Sequence, residues 1–287
     1  MDPRPISVRR HDDGVDRWEM VDAAPSPELR GRIGRYSDYW EEIASFAARR
    51  ELATTEVVLI YALAAPLEIT GADGRVVTVR AGEAFVGGIS DATSLSRGLG
   101  PQAGIHVFMP LASMATVTGA PVAEIANCVA PLRDLIGRGA DDFGNALCDA
   151  VNAEARFDLL DAFFARRFAD AQETDRSVPW AMPHLASAVG PLTSKLAAEI
   201  GWSRKHFIQR FRDATGVSPD RYRRIARFER FAAAIAARPD DGLAGLAADC
   251  GFVDQAHLAR DVRAFADMTP GELRTRLIPG GGGVRHD

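Results

Sequence analysis

The chain has 287 residues, 47% of them hydrophobic, which is enough for two domains with separate cores. Its net charge of −5 argues against a protein that binds nucleic acid along its whole length. No window reaches about 18 uninterrupted apolar residues, and the charged N-terminus lacks a signal-peptide core, so we expect a cytoplasmic protein without a membrane span.

The first half of the sequence reads as short strands separated by turn residues. Residues 56–63 are β-branched and apolar and predict a buried strand, and residues 67–79 alternate around a Gly-Ala-Asp-Gly turn as a hairpin does. Residues 35–51 are ambiguous between helix and strand. Several short strands at close spacing favour a small barrel or sandwich. The other strand candidates lie near Trp18 and in residues 83–89 and 105–109.

From Pro121 onwards the hydrophobic period changes to that of helices. Residues 122–136 suit one or two helices and residues 143–151 suit another. A further helix over residues 154–169 carries a broad apolar stripe that includes Phe157, Leu160, Phe164 and Phe168. This stripe suits the core of the domain, which we favour, or a dimer surface, where aromatic residues are enriched.

Composition also predicts the domain boundaries. Residues 171–182 are polar, with Pro179 inside the segment and Pro183 directly after it, and are interpreted as a linker between an N-terminal domain, 1–170, and a C-terminal domain, 183–278. The first helix of the second domain is expected near residues 184–189. Residues 279–287 contain four consecutive glycines and predict a disordered tail.

Residues 192–237 predict three consecutive helices joined by short turns. The second is opened by Ser203, a good N-cap residue, and the third by Ser218-Pro219, with proline at the first helical position. The second helix combines an apolar back with a basic, amide-bearing front, which suits the major groove of DNA. The expected apolar positions are Leu192, Leu196 and Ile200 on the first helix and Phe207, Phe211 and Ala214 on the second.

The same pattern returns about fifty residues later, over residues 243–274. Gly251 corresponds to the turn glycine Gly201, and Thr269-Pro270 corresponds to Ser218-Pro219. Thr269 and Glu272 also have the spacing of a capping box. The C-terminal third is therefore predicted to contain two helix-turn-helix units joined by the helix over residues 219–237.

Charge supports this interpretation. Residues 183–287 hold 16 basic and 12 acidic residues, whereas residues 1–182 hold the other 18 basic and 27 acidic ones. Within residues 204–230, nine basic residues stand against three acidic ones. A basic segment beside an acidic body indicates DNA contact confined to one domain.

The two units carry a family resemblance. GWSRKHFIQRFRDATGVSPDRYRRIARFERF, followed by LAADCGFVDQAHLARDVRAFADMTPGELR, resembles the DNA-binding domain of the AraC/XylS transcriptional regulators over roughly the last hundred residues. The pattern G-F-x-D-Q-x-H-L-x-R with a later T-P is its more specific part. Two positions depart from the family: Val262 stands in place of an aromatic residue and Asp267 in place of a glycine.

The resemblance implies an α+β fold of two domains: an N-terminal cupin-like β-barrel with a helical hairpin and a C-terminal all-α domain with two helix-turn-helix units. It implies double-stranded DNA, a small-molecule effector and a second copy of the chain as partners, with RNA polymerase as a further partner of an activator. No metal and no cofactor are expected. The effector residues, and activation or repression, stay open.

Helix faces assign candidate DNA contacts. His257 and Arg260 are three residues apart on the second recognition helix, so both are expected to face the groove. The expected base contacts are Arg204, Lys205, Gln209, Gln255, His257 and Arg260. The expected phosphate contacts are Ser203, His206, Arg210, Arg212, Arg223 and Arg263.

Other classes of site lack their patterns in this sequence. Only His106 lies among the predicted strands, and a metal site needs several convergent ligands. Cys128, Cys148 and Cys250 show no metal-ligand spacing and are expected to be free thiols. No glycine pattern frames a nucleophilic serine or a phosphate loop, so catalysis is not expected. The alternative is a cupin-type binding protein or enzyme with a helical appendage.

Overall fold

The structure is a computed structural model that describes residues 4–169, 176–278 and 283–286. Its N-terminal part is built from antiparallel β-sheets with four helices, and its C-terminal part is helical, which confirms the predicted two-domain α+β fold. The strands are β1 (Ile6–Asp12), β2 (Arg17–Ala23), β3 (Arg35–Glu42), β4 (Ala48–Glu51), β5 (Val57–Ala62), β6 (Leu67–Thr70), β7 (Val76–Val79), β8 (Ala84–Gly87), β9 (Ser94–Gly98), β10 (Gln102–Met109), β11 (Val129–Pro131) and β12 (Val284–His286). The helices are α1 (Leu111–Thr118), α2 (Leu132–Ile136), α3 (Gly139–Asp149), α4 (Ala153–Ala169), α5 (Ser177–Ala186), α6 (Thr193–Ile200), α7 (Arg204–Thr215), α8 (Pro219–Ala237), α9 (Leu243–Asp249), α10 (Gln255–Ala266) and α11 (Pro270–Arg276).

Two sheets form the N-terminal part. One has seven strands in the order β1-β2-β3-β10-β5-β8-β11, and the other has five in the order β12-β4-β9-β6-β7. The long strand β10 pairs with β3 and β5, and this register sets His106 opposite Ser37 and Ile60. The ambiguous segment 35–51 forms strands β3 and β4 because both find partners in the sheets. Strand β1 was not predicted from the sequence, because most of its residues are exposed at a sheet edge and show no apolar pattern.

The helices that follow differ in part from the prediction. Residues 122–136 form a 3-10 turn, the strand β11 and the short α2 instead of longer helices, because Val129 pairs opposite Gly87 at the edge of the sheet. Val151 is 89% exposed and lies outside α3. On α4, Phe157, Leu160 and Phe164 are fully buried, so the apolar stripe belongs to the core of its own domain.

The segment predicted as a linker is partly helical. Residues 170–175 lie outside the described residues, but α5 begins at Ser177, seven residues before the expected first helix. Val178, Ala181 and Leu185 lie on one buried face, and α5 packs against α8. Its first proline lies in the first turn, where no helical hydrogen bond is lost, so that proline did not mark a linker.

The six helices from α6 onwards form the two expected helix-turn-helix units. Ser203 caps α7 and Ser218 caps α8, and Thr269 with Glu272 forms a complete capping box at α11. Leu192 was expected on the apolar face but is 70% exposed, because it lies at the N-cap of α6 rather than within the helix.

The C-terminal tail returns to the N-terminal part. Residues 279–282 and 287 lie outside the described residues, but β12 pairs antiparallel with β4, and Val284 is fully buried. The prediction of a disordered tail therefore fails for residues 284–286. The disordered tail was predicted from its four glycines alone, whereas the edge of β4 supplies the hydrogen-bond partners that a short strand needs.

The C-cap of α10 yields a first prediction. Asp267 has the left-handed backbone φ 57° and ψ 35°, which glycine adopts without steric cost. Because Asp267→Gly and Asp267→Ala both remove the carboxylate, their difference isolates the backbone. We expect the free energy of unfolding of the glycine variant to exceed that of the alanine variant by about 1 kcal/mol in thermal or urea unfolding. Equal stability of the two variants would contradict this account of the cap.

Candidate nucleic-acid interface

Helix α7 has an apolar inner face and a basic outer face. Phe207 and Phe211 are fully buried, and their rings pack together with centroids 5.8 Å apart. The Ser203 hydroxyl accepts the backbone N–H of His206 at 3.2 Å, so this side chain caps the helix. The exposed basic and amide residues on this helix are Arg204, Lys205, His206, Gln209, Arg210 and Arg212.

Helix α10 repeats this construction. Leu258, Val262 and Phe265 are buried, and the carboxylate of Asp254 accepts the backbone N–H of His257 at 2.6 Å as the N-cap. Asp254 lies 51 residues after Ser203, so the repeat offset could have identified this cap. The exposed candidate contacts on this helix are Gln255, Arg260 and Arg263.

His257 does not project to solvent as the helix face suggested. Nη2 of Arg227 donates to its Nε2 at 2.6 Å, and Nε2 lies 3.7 Å from a carboxylate oxygen of Asp261. Burial and the neighbouring Arg227 lower the pKa of His257, which favours the neutral ring that this hydrogen bond requires. The ring therefore joins α10 to α8 instead of reaching outward.

Asp261 is the centre of this contact, and sequence analysis did not single it out. It is only 1% exposed, and its carboxylate accepts hydrogen bonds from Arg224 at 2.8 and 3.0 Å and from Arg227 at 2.7 Å. Its signal in the sequence is a carboxylate on the apolar face of a helix, three residues after Leu258 and next to Val262. Such a group must have cationic partners when buried.

The other arginines of α8 also have protein partners. Nε of Arg221 donates to Asp91 at 2.6 Å, Arg223 donates to the carbonyl of Pro191, and Arg230 donates to the carbonyl of Ala186. The Arg223 side chain, expected to contact phosphate, thus holds the loop before α6. The linking helix uses these cations to fasten its surroundings.

A cavity of about 740 Å³ lies between the two sheets and reaches the helical part. Its wall includes His106 from β10 and Arg49 from β4, together with Glu229 and Ala232 from α8. The end of α11 contributes Leu277 and Ile278. A ligand in this cavity would therefore touch the helix that carries both recognition helices.

Polar contacts fasten the helical part to the sheets around this cavity. Glu229 accepts hydrogen bonds from the Thr54 hydroxyl at 2.7 Å and from the backbone N–H and hydroxyl of Thr55 at 2.9 and 2.6 Å. Arg50 on β4 donates to Asp267 at 2.9 Å. The apolar core is continuous across the same boundary.

Two further classes of site are missing from the described ranges, 4–169, 176–278 and 283–286. These ranges hold no group of three or more His, Cys, Asp or Glu residues placed to bind a metal ion. Their helices include none that is both long and apolar enough to cross a membrane.

Comparison with known families identifies the helical part. Residues 196–276 match the family described as a helix-turn-helix domain. The C-terminal third is thus a helix-turn-helix domain of the AraC type, which confirms the resemblance seen in its motifs. No curated protein matches the sequence.

Comparison with solved structures gives matches at low sequence identity and with TM-scores below 0.5. ToxT from Vibrio cholerae is 10% identical over 85% of this chain and 98% of its own, with a TM-score of 0.48. Wild-type ToxT from Vibrio cholerae strain SCE256 with a bound unsaturated fatty acid is 10% identical over 93% and 97%, with a TM-score of 0.47. The AraC-like transcriptional activator CuxR is 19% identical over 78% and 85%, with a TM-score of 0.34.

The buried carboxylate yields a second prediction. Asp261→Ala leaves Arg224 and Arg227 without their anionic partner, and we expect a loss of about 3 kcal/mol in the free energy of unfolding. The matched control is Asp213→Ala on α7, whose carboxylate is exposed and accepts one bond from Gln209. We expect the control to stay within about 0.5 kcal/mol of the wild type. Equal losses in urea unfolding would show that Asp261 does not hold α10 on α8.

Proposed function

We propose that this chain, whose C-terminal third is an AraC-type helix-turn-helix domain, is a sequence-specific DNA-binding transcription regulator that responds to a small molecule. The observation that carries the proposal is the pairing of two recognition helices on α8. Both present exposed basic and amide side chains, whereas the cations of α8 are engaged internally. It acts in the cytoplasm, where its operator DNA is found.

The exposed residues divide by the chemistry of their side chains. Arginine, lysine and glutamine near the start of a recognition helix reach base edges, and cations farther along the helix face phosphates. We assign Arg204, Lys205, Gln209, Gln255 and Arg260 to bases, and His206, Arg210, Arg212 and Arg263 to phosphates. Ser203, His257 and Arg223 shape the domain through their hydrogen bonds.

The length of α8 sets the spacing of the operator. Its 19 residues span about 28 Å, close to the roughly 34 Å of one turn of B-DNA. One chain therefore reads two unlike half-boxes on one face of the duplex, about 10 base pairs apart. A homodimer would read two such sites, and an activating chain would contact RNA polymerase beside them.

The cavity between the sheets is the proposed effector site. Its volume suits a drug-sized ligand, and its wall includes α8. Glu229 lies on that wall and holds Thr54 and Thr55 of the loop before β5. A ligand that alters this contact shifts the docking of α8, and through α8 the positions of α7 and α10.

The third prediction separates base reading from phosphate contact. Arg260→Ala should cost about 1–3 kcal/mol on the best operator and relax the preference at one base position. Arg212→Ala should weaken all sequences alike and reduce the salt slope by about 1. The measurement is selection of bound fragments from random DNA, followed by titrations of each variant at several salt concentrations. Identical sequence profiles for the two variants would contradict the assignment.

The fourth prediction tests the rigid pairing of the two units. Insertion of about 5 base pairs between the half-boxes turns the second box to the opposite face of the duplex. Because α8 cannot follow, we expect affinity to fall to that of a single box in gel-shift titrations. An insertion of about 10 base pairs is the control, because it keeps both half-boxes on one face of the duplex and changes only the distance between them. Undiminished affinity after the shorter insertion would mean that the units bind independently.

A further inference from the structure

One part of the cavity wall carries a cluster of polar side chains drawn from both sheets. Tyr39 and His106 come from β3 and β10 of the seven-stranded sheet, and their rings lie 4.8 Å apart. Arg49 and Glu51 come from β4 of the five-stranded sheet. The two sheets thus present these groups to one shared space, which is the usual position of the few polar groups that orient a bound molecule.

Several polar atoms of this cluster have no hydrogen-bond partner within the part of the chain that the structure describes. Glu51 accepts one bond, from the Ser96 hydroxyl at 2.6 Å, through only one of its two carboxylate oxygens. The Tyr39 hydroxyl and the His106 ring make no hydrogen bond to described residues, although both line the cavity. The Nε of Arg49 is buried and also unpartnered among those residues. Polar groups in this state are free to form hydrogen bonds with a molecule bound in the cavity.

The charges on the cavity wall do not balance. Its cations each have an acidic neighbour: Arg9 lies 3.0 Å from Asp22, Arg35 lies 3.9 Å from Glu56, and Arg49 lies 2.8 Å from Glu41. Two lining carboxylates, Glu51 and Glu229, accept hydrogen bonds from hydroxyl or amide donors and form no ion pair with a described residue. Arg49, which pairs with Glu41, is also close enough to act on the charge of Glu51.

Burial dominates the pKa shifts of the groups on this wall that lack an ion pair. Burial is the largest cause of the raised pKa of both Glu51 and Glu229. Arg49 opposes that rise at Glu51, whereas only hydrogen bonds from Thr54 and Thr55 oppose it at Glu229. Burial, Arg49 and Arg35 lower the pKa of His106 to about 4, so its ring is neutral and adds no positive charge at neutral pH.

The rest of the wall is apolar and aromatic. Phe108 lies against His106 with ring centroids 5.8 Å apart, and Phe46, Phe85 and Ile60 also line the space. A bound molecule therefore meets aromatic faces around an acidic group. Aromatic faces attract cations, and this attraction strengthens where water is excluded.

We propose that the effector is a hydrophobic organic cation, an amine with an alkyl or aromatic body, whose ammonium group binds between Glu51 and Tyr39. An ammonium supplies the ion pair that Glu51 does not form with any described residue, and it donates to the free oxygen of Glu51 and to the Tyr39 hydroxyl oxygen. A carboxylate in the same place would face Glu51 while Arg49 is already paired with Glu41. This inference rests on the proposed effector site and names the class of ligand that the site takes.

The test uses sets of probes that differ only in the head group. Octyl, phenylbutyl and naphthylethyl bodies are each compared as amine, alcohol and carboxylate by calorimetry with the full chain at pH 7.5. Amines of this kind are protonated at that pH, since their pKa lies near 10. For at least one body we expect the amine to bind at least tenfold more tightly than its alcohol and its carboxylate. A tighter alcohol or carboxylate, or no binding by any amine, would overturn the assignment.

Variants locate the site. Glu51→Gln keeps the shape and the acceptor for Ser96 but removes the charge, so amine affinity should fall at least tenfold while alcohol affinity stays unchanged. Glu68→Gln is the matched control, because Glu68 lies outside the cavity wall and pairs with Arg97. If Glu51→Gln fails to fold, Tyr39→Phe replaces it and should weaken amine binding several-fold. Unchanged amine affinity in the folded variant would overturn the placement.

DNA binding is measured separately, by gel shift without any probe. If the gel shift shows no DNA binding, the regulator proposal fails while amine binding to the full chain can still be measured. If no amine binds, the ligand assignment fails while DNA binding can still be measured. The two proposals therefore fail on different measurements.

Discussion

The buried carboxylate of Asp261 is the contact on which the double helix-turn-helix depends. A carboxylate at 1% exposure is stable only beside cations, and Arg224 and Arg227 of α8 provide them. His257 completes the group by accepting from Arg227. These bonds are directional, so they fix the rotation of α10 about its axis as well as its distance from α8. That rotation determines which side chains of α10 are exposed to solvent.

The same helix, α8, borders the cavity proposed as the effector site and packs against the two helices proposed to contact DNA. α8 buries Phe228 and Phe231 in the helical core, yet Glu229 between them on the chain binds the loop before β5. A helix moves as a rigid unit over this length. A small displacement at Glu229 therefore reaches both recognition helices together, and the coupling requires no separate pathway.

Elements fixed by local chemistry could be predicted from the sequence, and elements fixed by distant partners could not. Ser203 and Ser218 cap the helices that follow them, so α7 and α8 begin where expected. β12 forms because the edge of β4 is free to pair, which no local pattern around the glycines could reveal. The contacts of His257 within the chain could not be predicted for a related reason. Its spacing in the sequence placed His257 beside Arg260, but Arg227 of α8 donates a hydrogen bond to the His257 ring.

Neighbouring residues of strand β4 contact the cavity on one side and the end of α10 on the other. Successive side chains of a strand point to opposite faces, so Arg49 and Glu51 face the cavity whereas Arg50 binds Asp267 at the end of α10. Asp267 stands where the family has a glycine, and a glycine could not hold Arg50. β12 pairs along the outer edge of the same strand. The ligand proposed to neutralise Glu51 would act on the strand that also anchors the end of α10, which would give the departure at Asp267 a physical role.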